Sequence, residues 1–313
     1  MTVRPFDWRD LSVLHRYRHQ GLFFDSTLVL TRGVMLIPAG ALLSYLGPGI
    51  GIFTYLCVDN ENDTQPLIGQ VMHASGSTSA HLSFLAPESV LASVDMSELL
   101  DQMAVQIGAR GAYHILADVD EHQVAFEALH KSGFAIYARQ RIWQMAGEPL
   151  GEAHPTPWRA CNDSDLIGVR SLYNNLVPGL VQQTEPPPQN NLRGMVHYQG
   201  DDLLAYAEIR HGPLGIWVQP IIHPDTEDVG ARLVKLLQNL PGRRSRPVYL
   251  CIRSYQAWLE PTVEELGAKP GPRQAVMVKH LAITHRVTQS YVLPALNGTH
   301  PEPTVPIAQI EKS

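Results

Sequence analysis

The amino-acid sequence predicts an α/β protein made of two tandem copies of one unit. Its 313 residues suit two domains of about 150 residues each, a size at which a single core is stable. Strand-like and helix-like patterns alternate in both halves in the order β-α-β-β-β-α-β-α-β, and matching residues recur at a slowly changing offset. Internal self-similarity of this kind constrains the architecture more strongly than any single motif.

The repeat is clearest at the start of each half. An offset of 155 places Arg4, Asp10, Leu11 and Leu14 on Arg159, Asp165, Leu166 and Val169. Further along, Pro87 matches Pro224 at an offset of 137, and Gly133 matches Gly267 at an offset of 134. The preserved order of these matches predicts equivalent elements in both halves, with one shortening of the second copy before its fourth strand.

Hydrophobic periodicity predicts the later elements of each copy. These are a helix, a strand and a helix, at 96–109, 113–117 and 123–131 in the first copy and at 229–240, 248–252 and 258–266 in the second. Gly133 follows the last helix of the first copy, where a glycine suits a left-handed helix cap.

Glycine and proline content predicts where the copies begin and end. Five such residues fall within 147–157, which is typical of a linker. We therefore expect one domain at 1–146, a second at 158–283 and an extended tail at 284–313.

Charge and cysteine content exclude several classes of protein. The chain has 24 basic and 30 acidic residues with no concentrated basic face, so we expect no nucleic-acid partner. Its three cysteines lie too far apart for a zinc or redox pair, and with no apolar leader at the N-terminus they predict a reducing, cytoplasmic location. The uncharged segment 33–58 is interrupted by proline and glycine, so we expect no membrane span. The histidines lack the spacing of a metal site, and none is expected.

The order of elements, together with the sequence LHKSGF at 129–134, resembles the GNAT superfamily of acyl-CoA-dependent N-acetyltransferases in a tandem two-domain form. The resemblance covers about 2–145 and 156–283. It implies a mixed, mostly antiparallel sheet in each half, with helices on both faces and a fourth and fifth strand that separate. In that family the pantetheine arm of acetyl-CoA pairs with backbone groups in this gap, and the pyrophosphate lies on the N-terminus of the next helix, where unpaired N–H groups favour anions.

The resemblance implies an acetyl-CoA site in the second half. The family's phosphate loop is rich in glycine because glycine lets the backbone approach the phosphates. The second copy keeps Gly230, with Arg232 favourable and Glu227 unfavourable to a phosphate, whereas the first copy has no glycine in its segment 87–96. The residues implied in cofactor binding are Ile221, Ile222, His223, Val229, Gly230, Ala231 and Arg232. An ordinary strand-to-helix turn is the alternative.

Two residues are candidates for the chemistry. Family members often use a tyrosine four residues before the glycine of the last helix as general acid, but Leu129 and Val263 stand there, so Tyr255 is the substitute candidate. Glu208 is the candidate general base, since a carboxylate between apolar neighbours has a raised pKa if it faces the cleft. The alternatives are packing for Tyr255 and an ion pair with a basic residue such as Arg210 for Glu208.

Two functions follow from the resemblance. The first is an N-acetyltransferase that moves an acetyl group from acetyl-CoA to a small-molecule or peptide amine by direct attack, with an acceptor pocket formed by variable loops such as 182–191. The second is a catalytically silent GNAT-like protein with a binding or regulatory role, which the absent acid tyrosines and the missing first phosphate loop favour. Either function is compatible with a homodimer.

Overall fold

The computed structural model describes residues 2–34, 40–41, 51–58, 65–90, 94–155, 157–243 and 245–281. The predicted tail at 284–313 lies outside the described residues, and the uncharged segment 33–58 is described only in part. None of the helices in these ranges has the length and apolar character that crossing a membrane requires.

The predicted elements occur in the predicted order in both halves, but the first half has an additional strand and helix within 22–32 and the second an additional helix at Gly179–Thr184. The described strands are β1 (Thr2–Pro5), β2 (Leu22–Phe23), β3 (Ile52–Val58), β4 (Leu67–Met72), β5 (Ser79–Ala86), β6 (His114–Asp120), β7 (Ala135–Met145), β8 (Arg159–Ala160), β9 (Gly194–Gln199), β10 (Asp202–His211), β11 (Ile216–Ile222), β12 (Val248–Arg253) and β13 (Lys269–His280). The described α-helices are α1 (Leu11–Tyr17), α2 (Ser26–Arg32), α3 (Val94–Gly108), α4 (Val124–Lys131), α5 (Leu166–Leu176), α6 (Gly179–Thr184), α7 (Val229–Gln238) and α8 (Glu260–Glu265). Short 3₁₀ turns occur at Trp8–Asp10, Glu88–Val90, Asp163–Asp165 and Ser254–Leu259.

The described strands form one continuous sheet in which two equivalent halves meet. From edge to edge the order is β1-β3-β4-β5-β6-β13-β7-β12-β11-β10-β9-β8, and β2 pairs with β5 off this path. The pairs β5–β6 and β11–β12 are parallel, and the other described pairs are antiparallel. The predicted fold class, a mixed and mostly antiparallel sheet in each half, is therefore confirmed.

The two halves exchange their last strands. β13, from the second half, pairs with β6 of the first half, while β7 of the first half pairs with β12 of the second. β7 and β13 also pair with each other at the centre of the sheet. Each half-sheet thus contains a strand from the other half, and the domain boundaries near 146 and 158 stay a prediction.

The arginine and aspartate that repeat at the start of each half form the same ion pair in both halves. Arg4 donates two hydrogen bonds of 2.6 Å to Asp10, and Arg159 donates two of 2.7 and 2.5 Å to Asp165. Each aspartate also accepts the backbone N–H three residues before it at 2.9 Å and so completes a capping box. The same ion pair and capping box therefore stabilise the 3₁₀ turn that leads into the first helix of both halves.

One amphipathic helix in each half packs against the sheet. α3 buries Leu99, Leu100 and Met103 in the core of the first half, and α7 buries Leu233 and Leu237 in the core of the second. These are the faces that the helical spacing predicts. Gly133, the glycine expected to cap the last helix of the first half, has a positive φ angle of +85°, and its repeat match Gly267 has one of +88°.

Candidate functional site

The fourth and fifth strands of the second half separate after a short pairing. Ile216, Trp217 and Val218 of β11 pair in parallel with Val248, Tyr249 and Leu250 of β12, and the described pairing ends there. On its other side β11 stays paired with β10 through Ile222. We call the space between 219–222 and 251–253 the second-half gap.

The side chain of Gln256 bridges this gap. The backbone N–H of Ile222 donates to its Oε1 (3.1 Å), and its Nε2 donates to the Ile222 carbonyl oxygen (3.0 Å). The backbone N–H and C=O groups of alternate residues point to the same edge of a strand. On β11, the residues whose backbone groups point towards β12 are Val218, Pro220 and Ile222, and the last two lie in the gap. Proline has no N–H, so the single backbone donor in the separated part of this edge is already paired with Gln256.

Backbone closes the corresponding gap in the first half. β5 and β6 pair over three residues, from Ser79 opposite His114 to His81 opposite Leu116, and then separate. β2 pairs with β5 beyond that point. The next residue, Phe24, donates its N–H to the Ser83 carbonyl (3.3 Å) and accepts the N–H of Asp118 (2.7 Å). The chain itself therefore forms a third strand-like segment in the first-half gap.

Helix α7 begins at Val229, seven residues after β11 ends at Ile222. A Cβ added at Gly230 would meet only a methyl group of Thr262, at 3.5 Å, so the glycine side of the helix start is open. Asp228, the residue before the helix, has a positive φ of 51°, and its side chain makes no capping hydrogen bond. With Glu227, it puts two carboxylates at a helix terminus that would otherwise favour an anion.

The side chain of Arg232 is held inside the protein. Its Nε donates to the Glu227 carbonyl at 2.6 Å, and its Nη1 contacts Nε2 of His197. Burial and the neighbouring Arg232 lower the pKa of His197 to about 4, so the ring is neutral and its Nε2 accepts the hydrogen bond from Arg232. Arg232 is buried, and the expected attraction of its guanidinium for a phosphate is not available in this conformation.

The other residues implied in cofactor binding do not share one surface. Ile221 lines the central cavity described below, whereas the His223 ring lies with Asp225 in a separate groove of about 720 Å³. The backbone N–H of His223 donates to Leu204 at 2.8 Å, and the Ala231 carbonyl accepts the N–H of His154 at 3.0 Å. Val229 begins α7 and packs partly buried against the second core.

A cavity of about 820 Å³ lies where the two halves meet, and we call it the central cavity. Both edges of the second-half gap contribute to its wall, through Gln219 and Ile221 on one side and Arg253 on the other. The predicted variable loop at 182–191 also lines it, from Thr184 to Asn191 with the exception of position 187. Two separated strands and a polar cavity beside them give the geometry of a cleft that can hold an extended ligand and a second molecule.

A solved structure resembles this fold over most of the chain. A GCN5-related N-acetyltransferase from Sphaerobacter thermophilus superposes with a TM-score of 0.53 at 10% identity, covering 89% of this chain and 95% of its own. The protein has the GNAT fold. No protein-family model matches the sequence, and no curated protein matches it either.

Two further solved structures match this chain with lower TM-scores. A tandem GNAT protein from the clavulanic acid biosynthesis pathway has a TM-score of 0.48 at 14% identity, covering 90% of this chain and 99% of its own. A GNAT-family acetyltransferase from Colwellia psychrerythraea has a TM-score of 0.45 at 12% identity, covering 90% and 100%.

The two candidate catalytic residues occupy different positions relative to the central cavity of this GNAT fold. Glu208 on β10 lines the cavity and accepts a 2.8 Å hydrogen bond from Nε of Arg210, the ion pair that the sequence left as an alternative. Tyr255 is not among the lining residues. Burial raises its pKa, although nearby Arg253 and Gln219 act in the opposite direction. The neutral phenol is therefore the stable form at physiological pH.

A buried charge cluster on the cavity wall escaped the sequence analysis. Oε1 of Glu185 accepts hydrogen bonds from Nη2 of Arg253 (2.7 Å) and from the Tyr137 hydroxyl (2.5 Å), and the Tyr173 hydroxyl donates to the Glu185 backbone carbonyl (2.6 Å). Burial alone would raise the pKa of Glu185, but Arg253 and Tyr137 outweigh it and hold that pKa below its usual range. The one sequence signal for this cluster was that Glu185 is a charged residue in the variable loop at 182–191.

Proposed function

We propose that the protein is an N-acetyltransferase that transfers the acetyl group of acetyl-CoA to an amine, with acetyl-CoA bound in the second half. The observation that carries this proposal is the separation of β11 from β12 directly beside the central cavity. Separated strands give up the direct backbone hydrogen bonds of a sheet, and at Ile222 only a side-chain amide replaces them, so the gap is a place where an extended ligand can enter.

The way each gap is closed favours the second half over the first. In the first half, backbone from 22–24 pairs with both β5 and Asp118, so opening the gap means moving a chain segment. In the second half, one side-chain amide of Gln256 closes it. An amide of pantetheine offers the same donor and acceptor, so it can replace Gln256 at Ile222 after a side-chain rotation.

The chemistry uses Glu208 on the wall of the central cavity and Tyr255, which lies behind that wall next to the lining residue Gln219. The Glu208 carboxylate accepts a proton from the attacking amine, directly or through water, because only the neutral amine has a free electron pair. The neutral nitrogen then forms a bond to the thioester carbonyl carbon and gives up a further proton to water, the C–S bond breaks, and the leaving thiolate takes a proton. The neutral Tyr255 hydroxyl next to Gln219 is the candidate donor of that proton.

A second candidate function is ligand binding without catalysis. Glu227 and Asp228 lie beside the start of α7, and Gln256 satisfies the Ile222 backbone without any ligand. Like charges oppose the binding of a pyrophosphate at that helix terminus. In this second function the central cavity binds a ligand, and the protein does not use acetyl-CoA.

Calorimetric titration of acetyl-CoA and CoA into the wild type and two variants at Gly230 separates these functions. Gly230→Asp adds a negative charge where the pyrophosphate would lie, and Gly230→Asn adds nearly the same volume without charge. Both should fold, because a Cβ at this position meets only the Thr262 methyl group. Acetyl transfer predicts binding by the wild type, weaker binding by the asparagine variant and none by the aspartate variant. Absence of wild-type binding at millimolar concentration contradicts it.

The role of Glu208 is tested by turnover. Once an accepted amine is known, Glu208→Gln should lower kcat about 100-fold or more with a smaller change in the KM for acetyl-CoA, because it removes the proton acceptor and keeps the side-chain shape. A variant with wild-type kcat at all pH values would assign Glu208 to the ion pair with Arg210 alone.

A further inference from the structure

His114 and His280 lie side by side in the sheet, although 166 residues separate them in the chain. His114 begins β6 of the first half, His280 ends β13 of the second half, and the two are directly opposite each other in the antiparallel pairing. The N–H of His114 donates to Thr78, on the other side of β6. The two histidines therefore form a non-hydrogen-bonded pair, the arrangement in which opposite side chains lie closest.

The distance between the two rings suits a metal chelate. Nδ1 of His280 lies 3.1 Å from Nδ1 of His114, and the ring planes are nearly perpendicular, at 85°. With metal–nitrogen bonds of about 2.0–2.1 Å, two nitrogens on one ion are about 3.3–3.4 Å apart at a tetrahedral angle and about 2.9 Å apart at a right angle. The separation in the structure falls between these values. Rotation of the rings about their Cβ–Cγ bonds, without movement of the strands, lets both nitrogens bind one ion.

Both rings can make these nitrogens available to a metal. In the structure one Nδ1 donates a hydrogen bond to the other. Neither Nε2 is bonded to a described residue, so the donor ring can carry its proton on Nε2 instead, which frees both Nδ1 lone pairs without a change of charge. His280 is exposed and His114 is half-buried. An ion and its water ligands can therefore reach the pair.

The residues next to the pair leave room for a cation and add no third protein ligand. Lys279, the residue before His280, points to the opposite face of the sheet, because adjacent residues of a strand alternate. Its ammonium group bonds there to Asp101 and to the Ser132 carbonyl. Among the described residues, no group of three His, Cys, Asp or Glu could hold a metal ion. The pair therefore supplies two ligands, and water completes the coordination.

We propose that His114 and His280 form a binding site for a divalent transition metal ion such as Zn²⁺ or Ni²⁺. Imidazole nitrogen suits these ions, whereas Ca²⁺ and Mg²⁺ prefer oxygen ligands. Because β6 belongs to the first half and β13 to the second, the bound ion ties the exchanged strand β13 to its neighbour. It lies next to Ser79, which is opposite His114 on β5 and lines the central cavity. The site does not depend on acetyl transfer, and its tests use no acetyl-CoA.

The first test is calorimetric titration of Zn²⁺ and Ni²⁺ into the full chain without a purification tag. We expect a site with a Kd of roughly 1–100 µM, about half the binding free energy of a four-ligand zinc site. His114→Ala and His280→Ala should each weaken this site about tenfold or more, because one imidazole remains. His130→Ala is the control, since His130 is exposed on α4 and pairs with no other described histidine. Absence of binding by the wild type at millimolar metal, or wild-type affinity in both single variants of the pair, would overturn the proposal.

The second test is urea unfolding with and without saturating Ni²⁺. The two ligands come together only in the folded chain, so the ion binds the native state more tightly than the unfolded one and should raise the urea midpoint. The midpoint should rise in the wild type and in His130→Ala, and it should rise less in His114→Ala and His280→Ala. Equal shifts in all four proteins would show that the metal binds elsewhere and would overturn the proposal. If His114→Ala does not fold, the exposed position 280 decides alone in both tests.

Discussion

Replacing Gln256 with alanine should weaken the fold and strengthen acetyl-CoA binding at the same time. Gln256 is 2% exposed, and its amide makes both hydrogen bonds to Ile222 in the second-half gap. Removing it leaves a buried N–H and a buried carbonyl unpaired, so the free energy of unfolding without ligand should fall by about 2–4 kcal/mol. In the wild type, pantetheine must first displace two hydrogen bonds worth together about 1–2 kcal/mol, so the variant should bind about 5- to 30-fold more tightly.

Urea unfolding and calorimetric titration of acetyl-CoA measure the two effects separately. Gln70→Ala is the matched control, because Gln70 is also buried, and its amide makes side-chain hydrogen bonds to Thr54 and Ser83 in the first half. The control should lose stability and keep the wild-type affinity. If Gln256→Ala folds and binds acetyl-CoA no more tightly than the wild type does, Gln256 does not stand where pantetheine binds.

Two further predictions concern pH and thiol chemistry. Hydrogen bonds from Arg159 lower the pKa of Asp165 from 3.8 to about 2, so the ionised carboxylate stabilises the fold above about pH 4 and this contribution is lost as the pH falls towards 2. Asp165→Asn should lower the free energy of unfolding by about 1–2 kcal/mol at neutral pH, allowing for the exposure of Arg159, and urea unfolding should show the difference shrinking between about pH 4 and 2. Asp10→Asn should also lower the free energy of unfolding at neutral pH. If the difference between wild type and variant does not change with pH, the ionised carboxylate is not the cause. Mass spectrometry after iodoacetamide treatment should show half-buried Cys161 modified before Cys251, whose pKa burial raises to about 12; early labelling of Cys251 would show that the strand carrying it opens readily.

The sequence alone predicted the features that depend on local pattern. Arg4 with Asp10 and Arg159 with Asp165 lie six residues apart, so their repeat was visible in the chain, and the structure shows the same capped 3₁₀ turn before the first helix of each half. The buried faces of α3 and α7 follow from apolar spacing at 3.6 residues per turn, and a Gly at position 133 after a helix predicts a positive φ. These signals are local because each one is encoded in the residues that form the element.

Tertiary structure alone decided how the halves join and how each gap is closed. β13 lies between β6 and β7, and 22–24 lies against β5, through backbone hydrogen bonds that almost any residue can make. Gln256 reaches Ile222 across 34 residues, and Arg253 reaches Glu185 across 68. Backbone pairing requires no particular side chain, so it leaves no signal in the sequence. Contacts between residues far apart in the chain form only because the sheet brings them together, so the sequence alone does not identify the partners.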